Sequence, residues 1–363
     1  MSPDVTALNY TTHAIDDLRL ISAHMRPKQP QTSLMYDKII NLLRVSVKFI
    51  LPNEGDFIEK DSADTMQKLY DLFRLPFPET LFEIPWNVPD THEAGIMAGE
   101  KMSRSTRRIA LCIQHDSSYA AELVGPDVHA RNLSEFPAGG AYIIAVYHSE
   151  PHRTWAISVM GSFVPYDQDI VPAKVMKTMK TGQIIAAALE NANVRPDKKK
   201  SNTGHVAVRF PIHVELCEKQ MRLPDVDKFM ASVDYDTRSE TACAIEACAV
   251  MNCLNINSVE IKASKVLNKI RQSKNKTPMF DCRILTLAPG NIYTNDAGGT
   301  HASPISHLRR GHIRRISTNE GQKLVFVRST LVKGRDYVEG VQVKTYAVEA
   351  PEFKLPDVTS PEF

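Results

Sequence analysis

No stretch of about 18 consecutive apolar residues occurs in this chain, so no membrane-spanning helix is expected. The N-terminus begins polar, without a basic-then-apolar leader pattern. A soluble protein of the cytoplasm, with no membrane partner, is therefore expected. None of the six cysteines forms a C-x-x-C pair. Cys243, Cys248 and Cys253 lie five apart, an interval that fits neither a zinc knuckle nor a redox pair. With Cys112, Cys217 and Cys282 they read as reduced, mostly buried thiols. No Walker loop, no G-x-G-x-x-G and no G-x-S-x-G elbow is present, which argues against nucleotide-driven motors and serine hydrolases. The net charge is only +2, so any basic surface must be local. Internal repeats and low-complexity blocks are also missing.

What is present suits a folded protein. An apolar fraction of 43% supplies ordinary cores, and 363 residues favour two domains. The fold class expected is α+β, with two domains that each hold a mainly antiparallel sheet and flanking helices. The divisions read as a polar N-terminal arm (1–32), an N-terminal α+β domain (33–194), a basic linker or loop (195–204), a C-terminal α+β domain (205–349) and an extended tail (350–363).

Within the arm, Ala14–His24 suits a short helix, or else a loose segment. Ser33 is a candidate N-cap for a helix to about Phe49, with Leu34, Ile39, Ile40, Leu43, Val47 and Ile50 on one face. Asp61 caps a second, with Met66, Leu69, Tyr70, Leu72 and Phe73 on its apolar side. Strands are expected at Thr80–Ile84, Arg108–Gln114, Ala141–His148 and Thr154–Val164, the last two joined as a hairpin through Ser149-Glu150-Pro151. A helix is expected over Val175–Asn191 and a strand over His205–Val214, followed by polar sequence to about Asp236. Ser239 is the candidate cap of an alanine-rich helix to about Leu254, with Glu246 as its one interior charge. Further strands are expected at Ser258–Lys262, Met279–Leu287, Lys323–Arg328 and Gly340–Val348, with a Gly/Asn/Pro-rich loop over Ala288–Ser303.

The densest chemistry lies between His307 and Arg315, where two histidines and four arginines fall within nine residues. Arginine offers a fixed fork of donors to a phosphate, and histidine titrates near neutrality. Read as a strand, the segment places Arg310, His312 and Arg314 on one face and His307 and Arg309 on the other. A bulge at Gly311 would bring both histidines to one site. In one reading His307 and His312 are a general acid and base, while Arg310, Arg314 and Arg328 hold a phosphodiester. With RNA, the 2′-hydroxyl is then the nucleophile and no metal is needed. In a second reading the arginines, Arg309 included, bind phosphate without chemistry. In a third they pair with acidic side chains of their own fold.

Lys344 and Tyr346, two apart, share a strand face and either join this pocket or are surface residues. The Lys265–Lys276 block carries Lys265, Lys269, Arg271, Lys274 and Lys276. It reads as a nucleic-acid backbone contact through Lys265, Lys269 and Arg271, or as a solvated basic helix. Lys198–Lys200 is a solvated loop or another phosphate contact. His301, His307 and His312, with Asp296, match no zinc spacing, and the arginines would repel a dication. No metal and no cofactor is expected.

Several C-terminal features form a joint pattern: Leu267-Asn268-Lys269-x-Arg271, Lys276-x-Pro278, His307-Leu308-Arg309-Arg310-Gly311-His312, Arg328 and Gly340-x-x-x-Lys344-x-Tyr346. Together they resemble a family of proteins carried by bacteriophages, prophages and mobile elements. The resemblance covers about residues 239–349 and extends weakly to Leu75-Pro76-Phe77-Pro78 and Glu83. It implies the cytoplasm of a bacterial host and carries over no activity. The function expected is nucleic-acid binding, RNA favoured over DNA, with metal-independent endoribonuclease chemistry as its catalytic form. The alternative is a non-enzymatic interaction protein that inhibits or recruits a host protein or its nucleic-acid complex. The oligomeric state stays open.

Overall fold

Runs of branched and aromatic residues form the strands, and turn residues end them. The computed structural model describes residues 7–58, 63–87, 96–97, 100–101, 105–169, 183, 207–287, 307–309, 312–318, 321–327 and 330–332. Its strands are β1 (Val47–Ile50), β2 (Glu79–Pro85), β3 (Ile96–Met97), β4 (Glu100–Lys101), β5 (Arg107–Gln114), β6 (Gly140–Ser149), β7 (Thr154–Ile157), β8 (Met160–Pro165) and β9 (Val208–Pro211). After these come β10 (Ile256–Ile261), β11 (Cys282–Leu287), β12 (His307–Arg309), β13 (His312–Thr318), β14 (Gly321–Val327) and β15 (Thr330–Val332).

Nine strands build one mixed sheet in the order β10-β11-β1-β2-β5-β6-β8-β9, with β7 also on β6. β1 is parallel to both neighbours, β2 and β11, and the other pairs are antiparallel. The chain is α+β. β7 and β8 follow one another along the same edge of β6, so the expected Thr154–Val164 strand is one track interrupted at Ser158-Val159. The β3–β4, β12–β15 and β13–β14 pairs are separate two-stranded ladders.

One sheet runs through both segments expected as separate domains. β1 pairs with β11 and β8 with β9, across the expected 195–204 linker. That linker lies outside the described residues. So do nearly all of the expected Val175–Asn191 helix, the Ala288–Ser303 loop, the Gly340–Val348 strand and the tail.

Helices cover both faces of the sheet: α1 (Tyr10–Met25), α2 (Pro30–Val45), α3 (Ala63–Asp71), α4 (Ala120–Val124), α5 (Pro126–Glu135), α6 (Val214–Gln220), α7 (Val226–Met251) and α8 (Lys265–Ser273). Strand alternation sorts the core. Leu81, Ile109, Leu111, Ile113, Tyr142 and Ile144 pack with Ile15 and Leu18 of α1 and with Ile39 and Leu43 of α2. Phe82, Ile84, Ala110, Cys112 and Ile143 pack with Leu69 and Phe73 on the α3 side and with Ala244, Ala247 and Cys248 of α7. Each large aliphatic or aromatic side chain taken out of water contributes about 1.5–3 kcal/mol. Gly55, just after β1, has φ +64°, and a Cβ there would lie 2.7 Å from Cys243 Sγ. A larger residue would therefore push α7 off this turn.

Of the two readings of the arm before residue 33, the helix holds: it is α1, whose Ala14, Ile15 and Leu18 are fully buried. Three expectations change. α2 starts at Pro30, because Pro suits the first helical position. Ser33 lies inside that helix, where its hydroxyl donates to Ser22 O at 3.0 Å. The N-terminus of α2 is met instead by Glu215 of α6, which accepts from Gln31 N at 2.8 Å and Thr32 N at 3.1 Å. The same helix ends at Val45, and Val47 and Ile50 belong to β1, where β-branched residues fit better. Finally, the polar stretch after Val214 is α6 and the first half of α7. Ser239 sits midway along α7 rather than at its cap.

Candidate functional site

The His/Arg segment is placed on two ladders. β12 pairs with β15, setting His307 opposite Val332 and Arg309 opposite Thr330. β13 pairs with β14, setting His312 opposite Val327 and Arg314 opposite Val325. Within β13, Ile313 packs against the core beside its partner Phe326, which is buried. Alternation then puts His312 and Arg314 together on the opposite face, but the segment forms two strands with different partners instead of the single strand expected, so that alternation does not extend to His307 and Arg309. Arg314 and Arg315 are exposed and His312 is partly buried. The hairpin is fastened where α7 ends. Leu254 N donates to Leu324 O at 3.0 Å, and the Asn255 amide bonds both Phe326 O (2.6 Å) and Phe326 N (2.7 Å). Asn255 thus satisfies main-chain groups as a neighbouring strand would. Arg310, Arg328, Lys344 and Tyr346 lie outside the described residues. For His307 and Arg309 the strand pairing is what the structure describes.

The basic block forms α8. Ser264 caps it, accepting from Leu267 N at 3.3 Å. Lys265 and Lys269 are exposed. Arg271 turns inward: Nε donates to Thr277 O at 2.5 Å and Nη2 to Asp16 Oδ2 at 2.6 Å. Asp16 also accepts from Thr277 N at 2.9 Å. Arg271, expected at a nucleic-acid backbone, is therefore committed to an internal ion pair that ties α8 to α1. It fits neither reading of the basic block, a backbone contact or a solvated helix, because its guanidinium is turned inward.

A second cluster, which sequence reasoning missed, lies under α7. Arg108 on β5 and Tyr147 on β6 are directly opposed across the ladder. Asp236 and Glu240, one helical turn apart on α7, reach over them. Arg108 Nη1 donates to Glu240 Oε1 at 3.1 Å, and its guanidinium lies 4.2 Å from the Trp86 ring centre. Glu240 is only 1% exposed, and its Oε2 has no hydrogen-bond partner. Burial raises the Glu240 carboxyl above its ordinary range. Burial, with Glu240 beside it, pushes Asp236 up to about 6, although Arg108 pulls the other way. Desolvation also raises the Tyr147 phenol.

Towards the helix start, Arg209 on β9 pairs with Asp234 and donates to Thr237 Oγ1 at 2.9 Å. Towards its end, Glu246 Oε1 accepts from Phe57 N (2.7 Å) and Ile58 N (2.6 Å), fixing the turn after β1. Chemically the middle of this cluster is a carboxyl that titrates near neutrality beside a fixed guanidinium and a phenol. The i, i+4 spacing of Asp236 and Glu240 was the available signal. It resembles a solvated helix face, which hid it.

Among the described residues, no group of three or more His, Cys, Asp or Glu side chains is placed to hold a metal ion. Among them too, no helix is long and apolar enough to cross a membrane. Comparison with protein-family models, curated proteins and solved structures gives no match.

Proposed function

We propose that the chain binds nucleic acid through its C-terminal basic region. One observation carries this reading. Thirteen basic residues stand against four acidic ones between positions 256 and 332, in a chain whose net charge is +2. The rest of the chain is therefore net acidic, and the positive field is concentrated where β10, α8 and the β13–β14 hairpin lie. Arg314 and Arg315 are exposed on that hairpin, and Arg309, Arg310 and Arg328 belong to the same stretch. Guanidinium groups on a strand suit phosphate oxygens, and each contact releases condensed counterions.

RNA is the favoured ligand because His307 and His312 could then act on a 2′-hydroxyl. One imidazole would take its proton as the oxygen attacks phosphorus, and the other would protonate the departing 5′-oxygen. In support, His312 and Arg314 share one face of β13, which sets an imidazole beside an exposed phosphate-directed guanidinium.

A salt titration tests binding. Log affinity for single-stranded RNA should fall linearly with log salt, and the R314A/R315A variant should lower the slope by roughly 1.4. A slope unchanged by that variant would remove β13 from the interface. Chemistry is tested separately, with chelator present. H307A/H312A should lose RNA cleavage while keeping the binding isotherm, and equal cutting by the variant would end the acid–base assignment.

A further inference from the structure

Helix α8 departs from the rule that a surface helix turns its apolar side inward. It contains no buried residue. Val266, Leu267 and Ile270 are 69%, 49% and 48% exposed. At 3.6 residues per turn these three fall within an arc of about 100°. The inward side is polar. Asn268 Nδ2 donates to Met279 O at 3.0 Å and its Oδ1 accepts from Met279 N at 2.6 Å. Arg271 is held by Thr277 and Asp16. The helix is thus fastened by hydrogen bonds, and its aliphatic stripe is left outside. Lys265 and Lys269, both exposed and one turn apart, flank the stripe; Lys274 and Lys276 continue the charge past its end. The helix has no acidic residue.

We propose that α8 is a docking face for an acidic amphipathic segment of another protein. Charge and shape select this occupant. Apolar residues of such a segment would cover Val266, Leu267 and Ile270, while its carboxylates meet Lys265 and Lys269. Nucleic acid makes poor use of the stripe, which has no aromatic ring on which a base could stack. A second copy packing α8 on α8 would set lysines against lysines. A bilayer fits less well. Helices that lie in membrane interfaces are often 20–30 residues long, whereas α8 offers three aliphatic side chains.

The test uses the full chain and a panel of labelled amphipathic peptides with leucines on one face and glutamates on the other. Fluorescence anisotropy at physiological ionic strength should show saturable binding. Scrambled peptides of the same composition should not bind. V266S/I270S and K265E/K269E should each weaken binding about tenfold or more, while R314A/R315A leaves it unchanged. These positions are exposed, so circular dichroism and the thermal midpoint should stay at wild-type values, which separates lost docking from lost folding. V266S/I270S should also leave RNA binding intact, so this proposal and the nucleic-acid reading can fail independently. The proposal is overturned if no peptide binds saturably, or if the variants bind the peptides as well as wild type. It is equally overturned if the stripe variant instead loses binding to phosphatidylglycerol vesicles, to RNA or to itself.

Discussion

Helix α7 is 26 residues long and carries the carboxylates of Glu240 and Glu246 into the interior, with Asp236 partly buried beside them. Helix α8 is nine residues long and leaves Val266, Leu267 and Ile270 in solvent. The contrast comes from what faces each helix. α7 crosses a sheet that offers partners for its charges: Arg209, Arg108 and the main-chain N–H groups of Phe57 and Ile58. α8 faces the middle of α1, where Asp16 takes Arg271, and the aliphatic stripe stays on the outer side. Residue type gives the cost of burial, and the opposing surface decides whether that cost is met.

The sharpest way to break this contrast is to remove the partner of a buried α7 charge. Arg108→Ala strands Glu240, and breaking one side of a buried pair costs about 3–5 kcal/mol. Urea denaturation at neutral pH reads it; a loss below about 1 kcal/mol would mean that Glu240 does not depend on Arg108. Next is Asp236→Asn. Asp236 has its carboxyl pushed up to about 6 in the fold, against about 3.9 in an unfolded chain. Its native state therefore holds the proton longer, and its contribution is full below about pH 4 and lost as pH rises through 6. The asparagine variant should remove up to ~3 kcal/mol of that pH dependence. Parallel stability curves for variant and wild type between these pH values would refute the assignment. The smallest effect concerns α8. Arg271→Ala removes charged hydrogen bonds worth about 1–3 kcal/mol, and the change should be local. Amide exchange should speed up within α8 and stay slow in β5 and β6; protection lost throughout would show that α8 and the sheet unfold together.

Legibility in the sequence followed how local the determining contacts are. β5, β6 and the turn after Ser149 could be read from alternating branched residues, since each strand's core faces are set by its own pattern. The apolar side of Met66, Leu69 and Tyr70 in α3, continued by Phe73 just past its end, was equally plain. The first half of α7 was not, because Asp234 and Asp236, with Glu240 just beyond, look like a solvated face until Arg209 and Arg108 are placed across from them. At the candidate site, the strand character of His312–Arg315 and its alternation were legible. The fate of Arg271 was not: its partner Asp16 lies 255 residues earlier, and nothing within the Lys265–Lys276 block marks one cation as different from the rest.

The parallel placement of β1 between β2 and β11 has a consequence for synthesis. One side of β1 bonds to a strand that begins about 30 residues later, and the other to β11, which begins about 230 residues later. At 5–20 residues per second, roughly 10–50 s separate the appearance of Ile50 from that of Leu287 on the ribosome. Throughout that interval the Phe49 strand has an open flank that any extended peptide could occupy. Nascent chains halted before Cys282 should therefore be the sticky ones, calling on chaperones that the finished protein no longer needs.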